Sequence, residues 1–320
     1  MATSSKELSD AELIAQGEAL CRSDQILPGI RLLRKVSDGT LLTKEHAEFL
    51  RKGKLSEKLR ADLTTPIEEA GWKKQGESHG NRDFVTYYKV EEGGQLLFRI
   101  ESVIEASLYV PFLATMNETD LYETWFPKWR VPKIGLYRSI RLTQPSRAEQ
   151  VVQLTIDLPF PLSKREIVFW AFAEEDCVAN RDAAAKLVTP PEGMFKEVPN
   201  AEPGIVRMGF EADFLFRPCP DDHPALLKSK GKYPENESKI LLTCMISCDP
   251  KIPFIPQTLL NFGTRTVVPS IWSMILSIAE QVRNGERPAH AERIASKREE
   301  IYDWLGERAA IMTGLATEKK

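Results

Sequence analysis

The groups in this chain that can do chemistry are few and scattered. Its four histidines, His46, His79, His223 and His290, lie far apart, and none stands at metal-ligand spacing from another. Cys219-Pro-Asp-Asp-His223 gathers metal-capable side chains, but zinc sites show paired Cys or His, so the run reads as a polar loop. Cys244 and Cys248 share one face of a strand pattern with Ile246, the placing of buried thiols. Asp120 with Glu123, and Glu174 with Glu175, are the paired carboxylates available for acid–base work. Neither pair has a matched cleft partner, and solvated or salt-bridged carboxylates account for them. The sequence has no G-x-G-x-x-G after a strand, no G-x-x-x-x-G-K-S/T, no G-x-S-x-G and no H-E-x-x-H. No catalytic residue, metal site or cofactor is assigned.

The elements that would position any site have ordinary soluble composition, 42% hydrophobic and 28% charged, in 320 residues: one large domain or two small ones. A net charge of −3 argues against a nucleic-acid partner, because phosphate neutralisation needs a basic surface. Five cysteines without a C-x-x-C pair point to reduced thiols and a cytoplasmic location. Met1 to Asp10 is charged and lacks the apolar core of a secretory signal. Val267 to Ala279, the longest greasy stretch, is interrupted by Pro269 and is too short to span a bilayer. Any membrane work is expected at a surface.

Residues 1–43 read as helical, with a start at Ser9-Asp10-Ala11-Glu12 and a second short helix from Pro28 to Val36. Leu50, Leu55, Leu59 and Leu63 predict another helix, ending near Gly71. From Trp72 the period becomes two. Strands are predicted around Phe84–Val90, Leu96–Ile104, Ile134–Leu142, Gln150–Leu158, Ile167–Ala173, Gly204–Arg217 and Ile240–Cys248. Two short helices interrupt them between Ser107 and Trp129. Pro218 to Ser238 reads as a long loop. A long helix follows from Pro256 to Asn284, with Pro269 expected to kink or split it. A last amphipathic helix is predicted from Ala291 to Met312. Strand runs with segregated helices mean an α+β fold with an antiparallel sheet.

Three segments carry a resemblance. They are Asp120-Leu-Tyr-Glu-Thr-Trp125, Leu158-Pro-Phe-Pro-Leu-Ser-Lys-Arg165-Glu166, and Ile255-Pro-Gln-Thr-Leu-Leu-Asn261 with Val268-Pro269 just beyond. In order and spacing they resemble the START (StAR-related lipid-transfer) family of the Bet v 1-like helix-grip superfamily. The resemblance covers Trp72 to Val282. It implies a helix-grip fold, a curved antiparallel β-sheet wrapped around a long C-terminal α-helix, here with extra N- and C-terminal helices. Three parts are expected: a helical extension over 1–54, a lipid-binding domain over 55–286, and a C-terminal helix and tail over 287–320.

The family keeps a tunnel between sheet and helix, gated by a loop and by that helix. The loop matches Phe160, Pro161, Leu162, Arg165 and Glu166; Glu166 stands where the family usually has Asp. Tunnel-wall candidates are Ile140, Val152, Leu154, Phe169, Ala171, Met208, Phe210, Phe214, Cys244, Leu259, Leu260 and Ile271. Val152 and Ala171 occupy the positions where sterol-binding members carry an internal ion pair, which argues against a sterol held that way. Arg138 runs in phase with Leu136, Ile140 and Leu142, and a charge on an inward face needs a partner. A lipid phosphate or carboxylate, an internal acid, or a shifted strand register are the alternatives. Phe254 and Ile255, with Phe160 and Leu162, are the candidates for contact with a bilayer.

The expected function is to bind one lipid, a phospholipid or other apolar molecule, and exchange it with membranes during transient contact. An enzyme of the same superfamily acting on an acyl or polyketide substrate, and a ligand-sensing adaptor with an unknown protein partner, are the rivals, since a fold does not fix a function.

Overall fold

The computed structural model describes residues 8–79, 82–91, 95–227, 233–249, 251 and 263–316. Three helices lead. Helix α1 (Asp10–Arg22) starts on a capping box: the Ser9 hydroxyl accepts from the Glu12 N–H while Glu12 accepts from the Ser9 N–H. Helices α2 (Ile26–Leu33) and α3 (Lys44–Thr64) follow. Helix α3 crosses residue 55 unbroken and ends at Thr64, short of Gly71. Its last carbonyls, which no helical N–H can reach, accept from Arg99.

The described residues then form ten strands: β1 (Lys73–His79), β2 (Asp83–Val90), β3 (Leu96–Glu105), β4 (Lys128–Arg130), β5 (Lys133–Ser146), β6 (Glu149–Asp157), β7 (Arg165–Asp176), β8 (Asp182–Val188), β9 (Val206–Pro218) and β10 (Lys239–Asp249). They build one curved, unclosed sheet in the order β1-β2-β3-β10-β9-β8-β7-β6-β5-β4. Neighbours run antiparallel, and a short parallel pairing of β7 with β9 is added where Arg165 meets Val206. Helix α4 (Ala106–Asn117) and a 3₁₀ turn, Thr119–Thr124, fill the expected helical gap. The expected loop from Pro218 to Ser238 carries one short helical turn, α5 (Pro224–Leu227).

The predicted long helix is seen as α6 (Val268–Arg283), preceded by a π-helical turn, Gly263–Val267. The part of that prediction over 256–262 lies outside the described residues. Pro269 follows the π-helical turn directly and lies in the first α-helical turn, a position that tolerates its missing N–H. The predicted terminal helix, by contrast, is broken. It comprises α7 (Pro288–Ser296), a π-helical turn (Arg298–Tyr302) and α8 (Asp303–Thr313).

The sheet is covered on both faces. Period two sends Ile100, Cys244, Phe214, Phe216 and Leu242 to the inner face, where α4, α6 and α8 close the largest apolar core. Trp272 lies at its centre, 2% exposed, with its ring 6.1 Å from that of Phe112. On the outer face, Leu59 and Leu63 of α3 cover Ala184 and Leu215. Arg60 binds Glu174 and Asp182, Lys52 binds Glu149 and Arg31 binds Asp176, so the N-terminal helices are tied to the sheet by ion pairs as well as by packing.

Candidate functional site

The inner face of β6 to β9 carries the residues expected to line a ligand space. Val152 pairs with Phe169, Gln150 with Ala171, Ala171 with Leu187, and Ala185 with Phe214. Val152, Phe169 and Met208 form one buried cluster, against which Leu154, Ala171 and Phe210 pack. The Phe169 and Phe210 rings are 5.8 Å apart. Beside this cluster is an apolar cavity of about 130 Å³. Phe169, Ala171, Ala173, Ala185 and Phe214 belong to its sheet side, Phe112 and Met116 come from α4, and Ile301, Trp304 and Leu305 come from the C-terminal segment. Alanines leave the room: with long side chains there, the sheet would meet the helices directly. The polar members of the wall are already paired, Arg147 to Asp24 at 2.6 Å, Glu149 to Lys52 at 2.5 Å and Gln150 to Arg141 at 3.1 Å.

A second, larger cleft of about 780 Å³ lies between β1–β2 and α6. It is lined by Thr86, Arg82, Ser270, Ser273, Ser277 and Glu280 among others, and Arg82 is paired with both Glu105 and Glu280 at 2.5 Å. Among the described residues the two spaces share no wall residue.

Cys244 and Ile271 are not in the cavity wall. They pack in the core around Trp272, and burial raises the Cys244 thiol well above its ordinary range, so it is an inert apolar filler. Leu259, Leu260, Phe254 and Ile255 lie outside the described residues.

Arg138 and Ile140 face outward. The β5–β6 register slips between Leu136 and Arg138, so Leu136 pairs with Ile156 on the inner face, while Arg138 and Ile140 pair with Thr155 and Gln153 on the outer one. Arg138 binds Glu202 at 2.9 Å with 39% of its side chain exposed. The arginine turned inward is Arg141, opposite Val152. It donates to the Asn117 carbonyl at 2.7 Å and lies 3.3 Å from Glu118, whose side chain has no exposure. Glu118 also accepts from Lys297 at 2.7 Å and from the Tyr302 hydroxyl at 2.5 Å. Sequence reasoning missed this cluster. Nothing in the alternation of β5 marks the extra residue at Tyr137.

In the expected gating loop, Phe160 is 98% exposed. The Leu162 N–H donates to the Pro159 carbonyl and closes a turn. Arg165 and Glu166 occupy opposite faces of β7, as adjacent strand residues must. Arg165 is buried and donates to the Ser163 hydroxyl at 2.9 Å and carbonyl at 2.7 Å, bracing the loop. Glu166 binds Arg207 at 2.6 Å and Gln153 on the outer face. Val131, 90% exposed, occupies the β4–β5 turn at the same end of the sheet, where Lys133 and Lys164 both approach Asp157.

No family model matches the sequence, and no curated protein matches it. Solved structures do match its shape. Human STARD10 superposes with a TM-score of 0.51 at 12% identity, covering 79% of this chain and 86% of that one. Human StAR-related lipid transfer protein 5 superposes with a TM-score of 0.50 at 13% identity, covering 75% of this chain and 99% of that one. The open ten-stranded sheet, the helix α6 it holds and the helical gap between β3 and β4 are thus those of the START helix-grip fold.

Proposed function

We propose that the chain binds one lipid or other hydrophobic molecule between the inner face of β6–β9 and the helices opposite, and exchanges it with membranes. The observation that carries this reading is the apolar cavity beside the Val152–Phe169–Met208 cluster, at the place in the fold where the sheet and helices stand apart. Solved proteins of the same fold include one whose name is a lipid transfer protein. Burying a hydrocarbon guest in such a space yields about 0.8 kcal/mol per methylene, so no covalent step is needed for capture. Phe169, Ala171 and Phe214, which line the cavity, are the proposed contacts, and Val152, Leu154, Met208 and Phe210 form the apolar packing beside it. The charged members of the wall, Arg147 and Glu149, are already paired with Asp24 and Lys52, so the reading favours a guest held by its apolar part.

Transfer needs a face that meets a bilayer. Among the described residues Phe160 and Val131 are the most exposed large hydrophobic ones, and Lys128, Arg130, Lys133 and Lys164 are close to them in sequence. Apolar tips beside basic residues suit an anionic interface. Among the described residues no helix is long and apolar enough to cross a membrane. We take residues 55–286 as the ligand-binding body; its first boundary falls inside α3, whose Leu59, Arg60 and Leu63 join the described part of residues 1–54 in covering the outer face, and the described part of residues 287–320 closes over the cavity.

Native mass spectrometry of protein purified from its own cells tests the reading. A co-purifying lipid, displaced by excess parinaric acid, is the expected result. Protein that carries no lipid and neither binds parinaric acid nor moves phosphatidylcholine between vesicles would end it.

A further inference from the structure

The cavity wall is built in two ways. On the sheet side, Phe169, Ala171 and Phe214 belong to strands knitted by backbone ladders on both edges. On the opposite side, Ile301, Trp304 and Leu305 belong to the stretch Pro288–Leu305. Among the described residues, no backbone-to-backbone hydrogen bond joins that stretch to the sheet or to α4. Side chains hold it instead. Lys297 and Tyr302 converge on the buried Glu118, and Arg293 reaches Asp120 at 2.7 Å.

One end of the stretch and its centre depart from regular α-helix. It leaves α6 through Asn284–Arg287, where Gly285 takes a positive φ of 74° that a residue with a side chain adopts only under strain. At its centre the helix relaxes into the π-helical turn Arg298–Tyr302, the same turn that carries Ile301 to the cavity and Tyr302 to Glu118. Such turns inside helices are often functional. Beyond Leu305, Met312 is fully buried in the main core and serves as an anchor.

Size supplies the reason to move. Ligand pockets usually enclose about 300–1,000 Å³, and this cavity holds about 130 Å³. A hydrocarbon chain needs the wall to retreat. The wall held by side chains alone, through the latches on Glu118 and Asp120 and the packing of Ile301 and Tyr302 against Ala114 and Val110, retreats more readily than one sewn by strand ladders.

We propose that Pro288–Leu305 is a releasable lid over the apolar cavity, latched by Lys297 and Tyr302 to Glu118 and by Arg293 to Asp120, whose opening admits an alkyl chain. The lid rests on the hydrophobic-ligand reading above, and it makes α7 and its π-helical turn a route to the cavity separate from the Pro159–Arg165 loop.

The test compares the full-length chain with Arg293→Ala/Lys297→Ala, which removes two cationic latches and leaves Arg141 beside Glu118. Tyr302→Phe, which keeps the ring, is the milder second variant. Parinaric acid uptake is followed by stopped-flow fluorescence, and hydrogen exchange is read over 288–305. The lid requires faster exchange there and uptake about tenfold faster in the double variant, the loss expected from hydrogen bonds to a charged group. Faster exchange with unchanged uptake overturns the lid, as does exchange that the variants leave unchanged. Without uptake by the wild-type chain the lid falls, and the ligand reading falls with it when the protein also carries no lipid and moves none between vesicles; uptake by the wild type with no acceleration in the variants sinks the lid alone.

Discussion

Arg60 on α3 bridges two acids of the sheet's outer face: it donates to Asp182 at 2.7 Å and 3.0 Å and also contacts Glu174, whose side chain is 2% exposed. Taking away one partner of such a pair strands a buried charge. Arg60→Ala is expected to lower unfolding stability by about 3–5 kcal/mol. Arg34→Ala, which breaks a half-exposed pair with Glu57, is expected to cost about 0–1 kcal/mol. Urea titration of the two variants checks both. Equal losses would mean that the N-terminal helices are not held to the sheet by Arg60.

Arg141 and Arg138 are three residues apart and have opposite surroundings. Arg141→Ala removes donors from Glu118 and from the Asn117 carbonyl, and about 2 kcal/mol of stability should go with them. Arg138→Ala disturbs an exposed pair and should stay within about 0.5 kcal/mol of wild type. The reverse order in thermal or urea unfolding would place the β5 slip elsewhere.

Ala171→Leu adds side-chain bulk to the cavity wall without touching the strand ladder. Parinaric acid affinity should fall about tenfold, the worth of roughly two lost methylene contacts. Circular dichroism should be unchanged. Full affinity in this variant would put the ligand somewhere other than against Phe169 and Phe214.

Phe160→Asp replaces the most exposed large apolar side chain among the described residues with a charge. Flotation with anionic vesicles should show binding weakened about tenfold, since a lone Phe in an interface contributes about 1.5–3 kcal/mol. Affinity for a soluble hydrophobic probe should not change. Retained vesicle binding would move the contact face to another part of the molecule.

His290, on α7, is buried, and that burial together with the Arg287 charge holds its pKa below the ordinary value of 6.5, against the opposing pull of Glu118 and Asp120. Protonation therefore favours the unfolded chain, which takes up a proton below about 6.5, over the folded one. Its contribution to stability is present in full above that pH and is lost as pH falls through the lowered folded value. Hydrogen exchange over 288–305 should accelerate on that descent, and His290→Gln should flatten the dependence. An unaltered pH profile in the variant would assign the effect to another group.

The architecture was legible because its signals are local. Alternation of Val206, Met208, Phe210, Ala212, Phe214 and Phe216 gives β9 and its buried face at once. Strand β8 was missed because Ala183, Ala184 and Ala185 have no β-branched or aromatic residue to announce a strand; their burial comes from neighbours on both sides. Edge strand β1 was missed for a related reason, as Lys73 to His79 is polar and only its ladder to β2 makes it a strand. At the candidate site, Phe169, Ala171 and Phe214 were found by phase, whereas Arg138 and Ile140 were put on the wrong face by a one-residue slip that phase cannot register. The Glu118 cluster joins residues up to 184 positions apart, a distance over which no sequence periodicity runs.

The alanines at 171, 173 and 185 give the chamber its dimensions by what they lack. Each added methyl there would shave capacity while leaving every ladder bond intact. The size of the space offered to the proposed guest can thus be retuned by substitutions as small as Ala to Val, with α4, α6 and the strands keeping their positions.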